Sequence, residues 1–128
     1  MDFNLSEEHR MVQKMVKDFA TSEVQPTIGE WDEKADMAPH VLPRMGELGI
    51  LGICLPVRYG GQGMDYISLG LACEELEAVD STLRVVMSVH TGLNSLGLLQ
   101  WATEEQKQRF LVPQARGDKI AGYCLTEP

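Results

Sequence analysis

An all-α fold, a bundle of about six helices, is what the sequence predicts, and three features carry that expectation. Apolar residues recur at helical spacing through most of the chain, capping and stopping residues separate the stripes, and only two short runs, 50–56 and 119–125, read as strands. Two such strands are too few for a sheet of their own. At 128 residues and 44% hydrophobic content, the chain has enough apolar sequence for one ordinary core.

The first helix starts at Ser6 as its cap. Phe3 precedes it, Glu7 and Glu8 occupy the positive end of the helix dipole, and Met11, Val12, Met15, Val16, Phe19 and Ala20 form the apolar stripe. Pro26 restarts the chain into a second helix through Ile28 and Trp31, and Pro39 opens a third through Val41, Leu42, Met45 and Leu48, closed by Gly49. Pro43 fits only in the first turn of that helix, which leaves its start open by several residues. ILGICLP, 50–56, reads as extended, and VRYGGQGMD, 57–65, with three glycines, as a tight loop. GGQG lacks the Lys and Ser/Thr of a P-loop and the strand-then-helix setting of a dinucleotide fingerprint.

A fourth helix is predicted from Ile67 to Val79, with Leu71, Leu76 and Val79 on one side and Glu74, Glu75 and Glu77 as a solvated face. Adjacent glutamates point in different directions on a helix, so they cannot converge on one reacting atom. The fifth, capped by Asp80 or Ser81 and running to about Leu99, is apolar nearly all round and is expected to be buried. Thr103, Glu104, Glu105 and Gln106 form a capping box that starts the last helix, which continues through Phe110 and Leu111 to a stop at Gly117. Ile120 to Leu125 then reads as a buried strand in need of a partner.

Composition removes whole classes of function. With 11 basic against 19 acidic residues and a net charge of −8, no basic patch exists to neutralise a phosphate backbone, so no nucleic-acid partner is expected. The N-terminus lacks a signal-peptide pattern, and no apolar stretch approaches the roughly 20 residues needed to span a bilayer, so a cytoplasmic location with no membrane contact is expected. Cys54, Cys73 and Cys124 are odd in number and set in apolar sequence, which reads as reduced core thiols, and His9, His40 and His90 lack the spacing of a metal site. A lone His90 between apolar neighbours reads as a satisfied core or pocket residue, not a general base.

The most informative chemical feature is a polar stripe on the fifth helix. Arg84, Ser88, Thr91 and Ser95 fall at i, i+4, i+7 and i+11, one narrow sector of an ideal helix. Arg84 must pair with an acid, reach solvent at the helix start, or face a polar ligand. Ser88 and Thr91 can bond back to helix carbonyls instead of a ligand. Gly92 and Gly97 permit close approach of another backbone or of a flat ligand. No complete catalytic constellation is present, so no catalytic residue is assigned.

Three stretches then carry a family resemblance. YCLTEP, 123–128, resembles the opening of the flavin-contacting motif of acyl-CoA dehydrogenases. MGELGILGICLPVRYGGQGMD and ATEEQKQRFLVPQARGDKIAGYCLTEP resemble the same family's third-helix and last-helix regions, and MDFNLSEEH fits its start. The likeness covers essentially the whole chain in order. It implies the N-terminal helical domain of that fold over residues 1–118, with 119–128 as the first strand of a following β-domain. It further implies an FAD enzyme of fatty-acid or amino-acid catabolism, in which flavin takes a hydride from the β-carbon of an acyl-CoA thioester after a carboxylate elsewhere in the polypeptide removes the α-proton.

Carried over residue by residue, Tyr123, Leu125 and Thr126 match positions that hold the flavin ring through backbone and hydroxyl groups. LRVVMSV, 83–89, is close to the glutaryl-CoA dehydrogenase pattern, in which the positions matching Arg84 and Ser88 face a distal carboxylate, and the flanking DST and HTGL resemble short-chain acyl-CoA dehydrogenases as well. Arg84, Ser88 and Thr91 are therefore the expected substrate-facing residues. The resemblance also implies an acyl-CoA substrate, electron-transfer flavoprotein or a similar acceptor as partner, a homotetramer, and the mitochondrial matrix if the source is eukaryotic. Acyl-CoA oxidases and nitroalkane-oxidising relatives share this fold, and a stand-alone helical interaction module is the non-enzymatic alternative.

Overall fold

Ser6 starts the first helix as its side chain allows. In the computed structural model, which describes residues 4–126, Ser6 Oγ accepts from the His9 amide and the His9 ring accepts from the Ser6 amide, a capping box closed by histidine. Phe3, Glu127 and Pro128 lie outside the described residues. Helix α1 spans Glu7–Phe19 and continues as a π-helical turn, Ala20–Val24. A 3-10 turn containing Pro26 leads into α2, Ile28–Lys34, and α3 follows at Val41–Glu47 with Pro43 tolerated in its first turn. Gly49, at φ +73°, turns the chain out of α3.

Residues 50–56 are a correction to the extended reading. They form consecutive turns, with Ile53 N donating to Ile50 O at 3.3 Å and Leu55 N to Gly52 O at 3.0 Å. Ile50, Leu51, Ile53 and Leu55 are all buried, packed into the helical core and covered by the glycine loop that follows. An apolar run that looks like a strand to a periodicity argument is here a buried turn. The glycine loop folds back on it through Gln62 N to Gly52 O, Gly63 N to Leu55 O and Met64 N to Ile53 O, at 3.0, 2.8 and 3.0 Å.

Asp65 caps α4, Tyr66–Glu77, by accepting from the Ser68 amide at 2.9 Å, and its other oxygen accepts from His9 Nε2 at 2.9 Å. His9 Nδ1 is already an acceptor for Ser6, so Nε2 carries the proton, and one ring locks the N-termini of α1 and α4 together. The glutamates of α4 are mostly on the solvent side, where Glu75 takes a bond from Gln13 and Glu77 one from Arg84. Asp80 caps the long helix α5, which runs as Ser81–Val86, a π-helical stretch Met87–Ser95, and Leu96–Trp101. Helix α6 starts at the Thr103–Gln106 capping box and runs as Glu104–Gln106, a π turn Lys107–Leu111, and Val112–Arg116, ending at Gly117 in the left-handed region. The six helical bodies among the described residues agree with the expectation of about six.

The main core joins α1, α3, the buried turn, α4 and α5, and a smaller cluster of Leu55, Tyr59, Leu111 and Ala115 lies under α6. Tyr59 fastens this smaller cluster to the start of α6 by donating to Glu104 at 2.8 Å, which pushes the phenol's pKa up. Helix α3 and the end of α6 cross at two glycines. A methyl group at Gly46 would sit 2.6 Å from the Arg116 carbonyl oxygen, and one at Gly117 would sit 2.7 Å from Gly46 Cα. Cys54 and Cys73 are half-buried, and burial pushes both thiols up, whereas Cys124 is exposed, which corrects its assignment to the core. No described helix is long and apolar enough to cross a membrane.

The last segment, from Lys119, is also not a strand. It has no partner strand among the described residues and instead lies beside α5.

Candidate functional site

Helix α5 and the chain after α6 build the site together. The helix is not buried all round as its composition suggests. Leu83, Met87, Thr91 and Ser95 have no exposure, a strict spacing of four, whereas Val85 and Leu93 are about half exposed and Trp101 is 80% exposed. A spacing of four drifts around an α-helix of 3.6 residues per turn. The wider π turns, in which Leu96 N donates to Thr91 O five residues back, keep that buried face in phase.

The same π turns split the polar stripe. Arg84 and Ser88 stay on the outer side: Arg84 Nε donates to Glu77 at 2.6 Å, Arg84 Nη1 lies 3.4 Å from Ser88 Oγ, and Ser88 bonds back to the Arg84 carbonyl at 3.2 Å. Thr91 and Ser95 turn inward. Thr91 donates to the Leu51 carbonyl at 2.9 Å, and Ser95 Oγ lies 2.9 Å from both the His90 carbonyl oxygen and Gln114 Oε1. Of the three residues expected to face substrate, the structure brings Arg84 and Ser88 together and places Thr91 behind them, braced against the buried turn.

Nothing lies within 4 Å of where a Cβ would stand on Gly97, so no neighbouring backbone packs there. Gly97 instead floors a shallow groove of about 400 Å3, walled by Leu93, Trp101 and Phe110. The C-terminal segment passes beside this face. Its Ala121 amide donates to His90 Nδ1 at 3.0 Å, and the Gly122 carbonyl accepts from Asn94 at 3.3 Å. Beyond that point Tyr123, Leu125 and Thr126 are exposed, and their peptide groups bond to no other described residue.

This donor set fits a flavin. Exposed peptide groups that bond to no other described residue, close to an apolar, open face, suit a planar ring with a polar edge, and the Thr126 hydroxyl adds a group that either donates or accepts. Sequence reasoning missed Asn94 and Gln114 as supports of this segment. The four-residue spacing of His90 and Asn94 was a usable signal for the first, but nothing local pointed to Gln114.

Fold and site thus define a helical domain with an open, partly apolar face on α5 and an exposed chain segment held beside it. The sequence profile of the family described as acyl-CoA dehydrogenase, N-terminal domain, matches residues 6–118. The short-chain-specific acyl-CoA dehydrogenase of Clostridium acetobutylicum is 44% identical over 128 residues, all of this chain and 34% of that protein. Among solved structures, butyryl-CoA dehydrogenase from Megasphaera elsdenii superposes with a TM-score of 0.94 at 35% identity, over 100% of this chain and 34% of the other. A glutaryl-coenzyme A dehydrogenase in complex with glutaryl-CoA gives 0.92 at 32% identity, over 100% and 33%. The chain belongs to the acyl-CoA dehydrogenase family and corresponds to its N-terminal helical domain. It spans about a third of the length of these relatives.

Proposed function

We propose that the chain is the N-terminal part of an FAD-dependent acyl-CoA dehydrogenase acting on a short-chain acyl-CoA, with residues 1–118 as the helical domain and 119–128 as the start of a following β-domain. The observation that carries this reading is the run Tyr123–Thr126, whose exposed peptide groups lack partners among the described residues beside the open outer face of α5. FAD, when bound, supplies the hydride acceptor for α,β-dehydrogenation of the thioester. Tyr123 and Leu125 would hold the flavin through backbone groups and Thr126 through its hydroxyl, and Leu93 and Gly97 would offer it an apolar surface.

Arg84 and Ser88 line the acyl side of α5, and Thr91 fixes the helix behind them through Leu51. The internal carboxylate of Glu77 already occupies the Arg84 Nε edge. A guanidinium satisfied this way favours an uncharged short acyl chain over a glutaryl group, in line with the 44% identity to a short-chain enzyme. The α-proton is taken by a carboxylate outside residues 1–128, as the family resemblance implies; within the chain Glu75 and Glu77 are engaged with Gln13 and Arg84. Electron-transfer flavoprotein or a similar acceptor reoxidises the flavin, and the working assembly is a homotetramer in a soluble compartment, the cytoplasm or the mitochondrial matrix.

The test is anaerobic titration of the polypeptide encoded by the whole reading frame with butyryl-CoA and with glutaryl-CoA, following flavin absorbance. Bleaching by butyryl-CoA at lower concentration than by glutaryl-CoA is expected. Preferential bleaching by glutaryl-CoA overturns the short-chain assignment, and absence of flavin with no response to either thioester overturns the enzymatic reading in favour of a helical interaction module.

A further inference from the structure

His90 is fully buried, carries no catalytic role in the reading above, and sits where α5, α6 and the C-terminal segment meet. Its two ring nitrogens face partners of fixed polarity. The Ala121 amide can only donate, so Nδ1, 3.0 Å away, must be the bare acceptor. The Gln114 carbonyl can only accept, so Nε2, also 3.0 Å away, must carry the proton. The geometry therefore dictates one neutral tautomer, with no freedom left to the ring.

Four residues along, Asn94 donates to the Val89 carbonyl at 3.0 Å, five residues back, and to the Gly122 carbonyl at 3.3 Å. Asn94 lies within the π-helical stretch Met87–Ser95, and its side-chain amide reaches both the Val89 carbonyl and the segment. Between them, His90 and Asn94 hold an N–H and the next residue's C=O, which fixes both position and roll of the chain one residue before Tyr123. Burial holds His90 in the neutral form the arrangement requires.

We propose that His90 and Asn94 are positioning residues that clamp residues 121–122 so that the peptide groups from Tyr123 onward are presented to flavin in a set orientation. The first half of this claim concerns the chain alone, and the second rests on the flavin reading given above. The role is one of orientation, since neither side chain reaches the exposed peptide groups themselves.

Two near-isosteric substitutions separate the clamp from simple core filling. In His90→Asn the side-chain oxygen can stand near the Nδ1 position and still accept from Ala121. In His90→Gln the amide reaches the Nε2 position, keeps the Gln114 bond and loses the Ala121 bond. In the 128-residue chain, nitrogen NMR of His90 is expected to show an unprotonated Nδ1 and a protonated Nε2. Exchange of the Ala121 amide is expected to rise about tenfold in His90→Gln, the worth of one buried hydrogen bond, and less in His90→Asn. Asn94→Ala, at a half-buried site that leaves the core intact, serves if either His90 variant fails to fold, and is expected to speed exchange in residues 121–124. In the polypeptide of the whole reading frame, His90→Gln is expected to weaken FAD binding about tenfold, with His90→Asn recovering part of it.

A protonated Nδ1, or Ala121 exchange that is the same in wild type, His90→Gln and Asn94→Ala, overturns the clamp. Faster exchange with unchanged FAD affinity overturns the positioning role while the family's flavin site stands. A wild-type polypeptide that binds no FAD overturns the proposed function instead, and the exchange result still decides the clamp.

Discussion

The two faces of α5 have the same apolar sequence character and opposite fates. On the inner face, every polar group has a partner: Thr91 bonds to Leu51, and His90 bonds to Gln114 and Ala121. On the outer face Leu93 and Trp101 stand exposed and Gly97 has open space above it. A completed interior leaves no buried side-chain nitrogen or oxygen without a partner among the described residues. The outer face is open by comparison, since Leu93, Trp101 and the residues from Tyr123 to Thr126 are exposed among the described residues. The difference teaches that composition alone does not tell a fully buried helix from one with an open apolar face.

The sharpest way to break this contrast is a pair of truncations on the same helix. Met87→Ala on the inner face is expected to cost about 3 kcal/mol of stability, the usual range for a fully buried large side chain, whereas Leu93→Ala is expected to stay within about 0.5 kcal/mol. Denaturant midpoints of the two variants measure it, and equal losses would erase the distinction. Next in size is the crossing that supports the inner face. Gly117→Ala puts a methyl against Gly46 at a backbone φ of +80°, and a loss of about 2 kcal/mol is expected in the same assay.

Thr91→Val keeps the shape and removes one donor from the Leu51 carbonyl, for an expected loss of about 1 kcal/mol. Ser88→Ala, one turn earlier on the outer side, is expected to change stability by less than about 0.5 kcal/mol.

Acid separates two further contacts. His90 is held neutral by burial, with its pKa below the ordinary value of 6.5, so the unfolded chain binds the extra proton and stability falls as pH drops below about 6.5. The Asp65 carboxylate is held down to about 2 by the Ser68 amide first and His9 second, so its contribution is present above 3.8 and fades as pH falls toward 2. Two separate declines in denaturant midpoint are expected on acidification, and His90→Asn is expected to remove only the upper one.

Much of the fold was legible because it is local. Ser6, Asp80 and Thr103 cap their helices, Gly49 and Gly117 end theirs, and each of these signals needs no more than four residues of context. The buried turn at 50–56 was not legible, because a short apolar run looks alike whether it packs into a sheet or into a helical core. Nor was the split of the polar stripe, since the spacing of Arg84, Ser88, Thr91 and Ser95 was counted on a 3.6-residue helix and π turns break that count. In the site, the Arg84 and Ser88 pair could be read from their spacing, and an acid partner for Arg84 was among the alternatives. The supports of His90 could not, because Gln114 and Ala121 lie 24 and 31 residues away and meet it only through the fold.

The most direct measurement is hydrogen exchange across the polypeptide of the whole reading frame with and without FAD. If the outer face and the Tyr123 segment form the flavin-facing half of a site, FAD is expected to slow exchange in residues 120–126 and leave the amides of Met87, Thr91 and Ser95 unchanged. Protection confined to other parts of the polypeptide, with residues 120–126 exchanging equally fast in both states, would contradict the account.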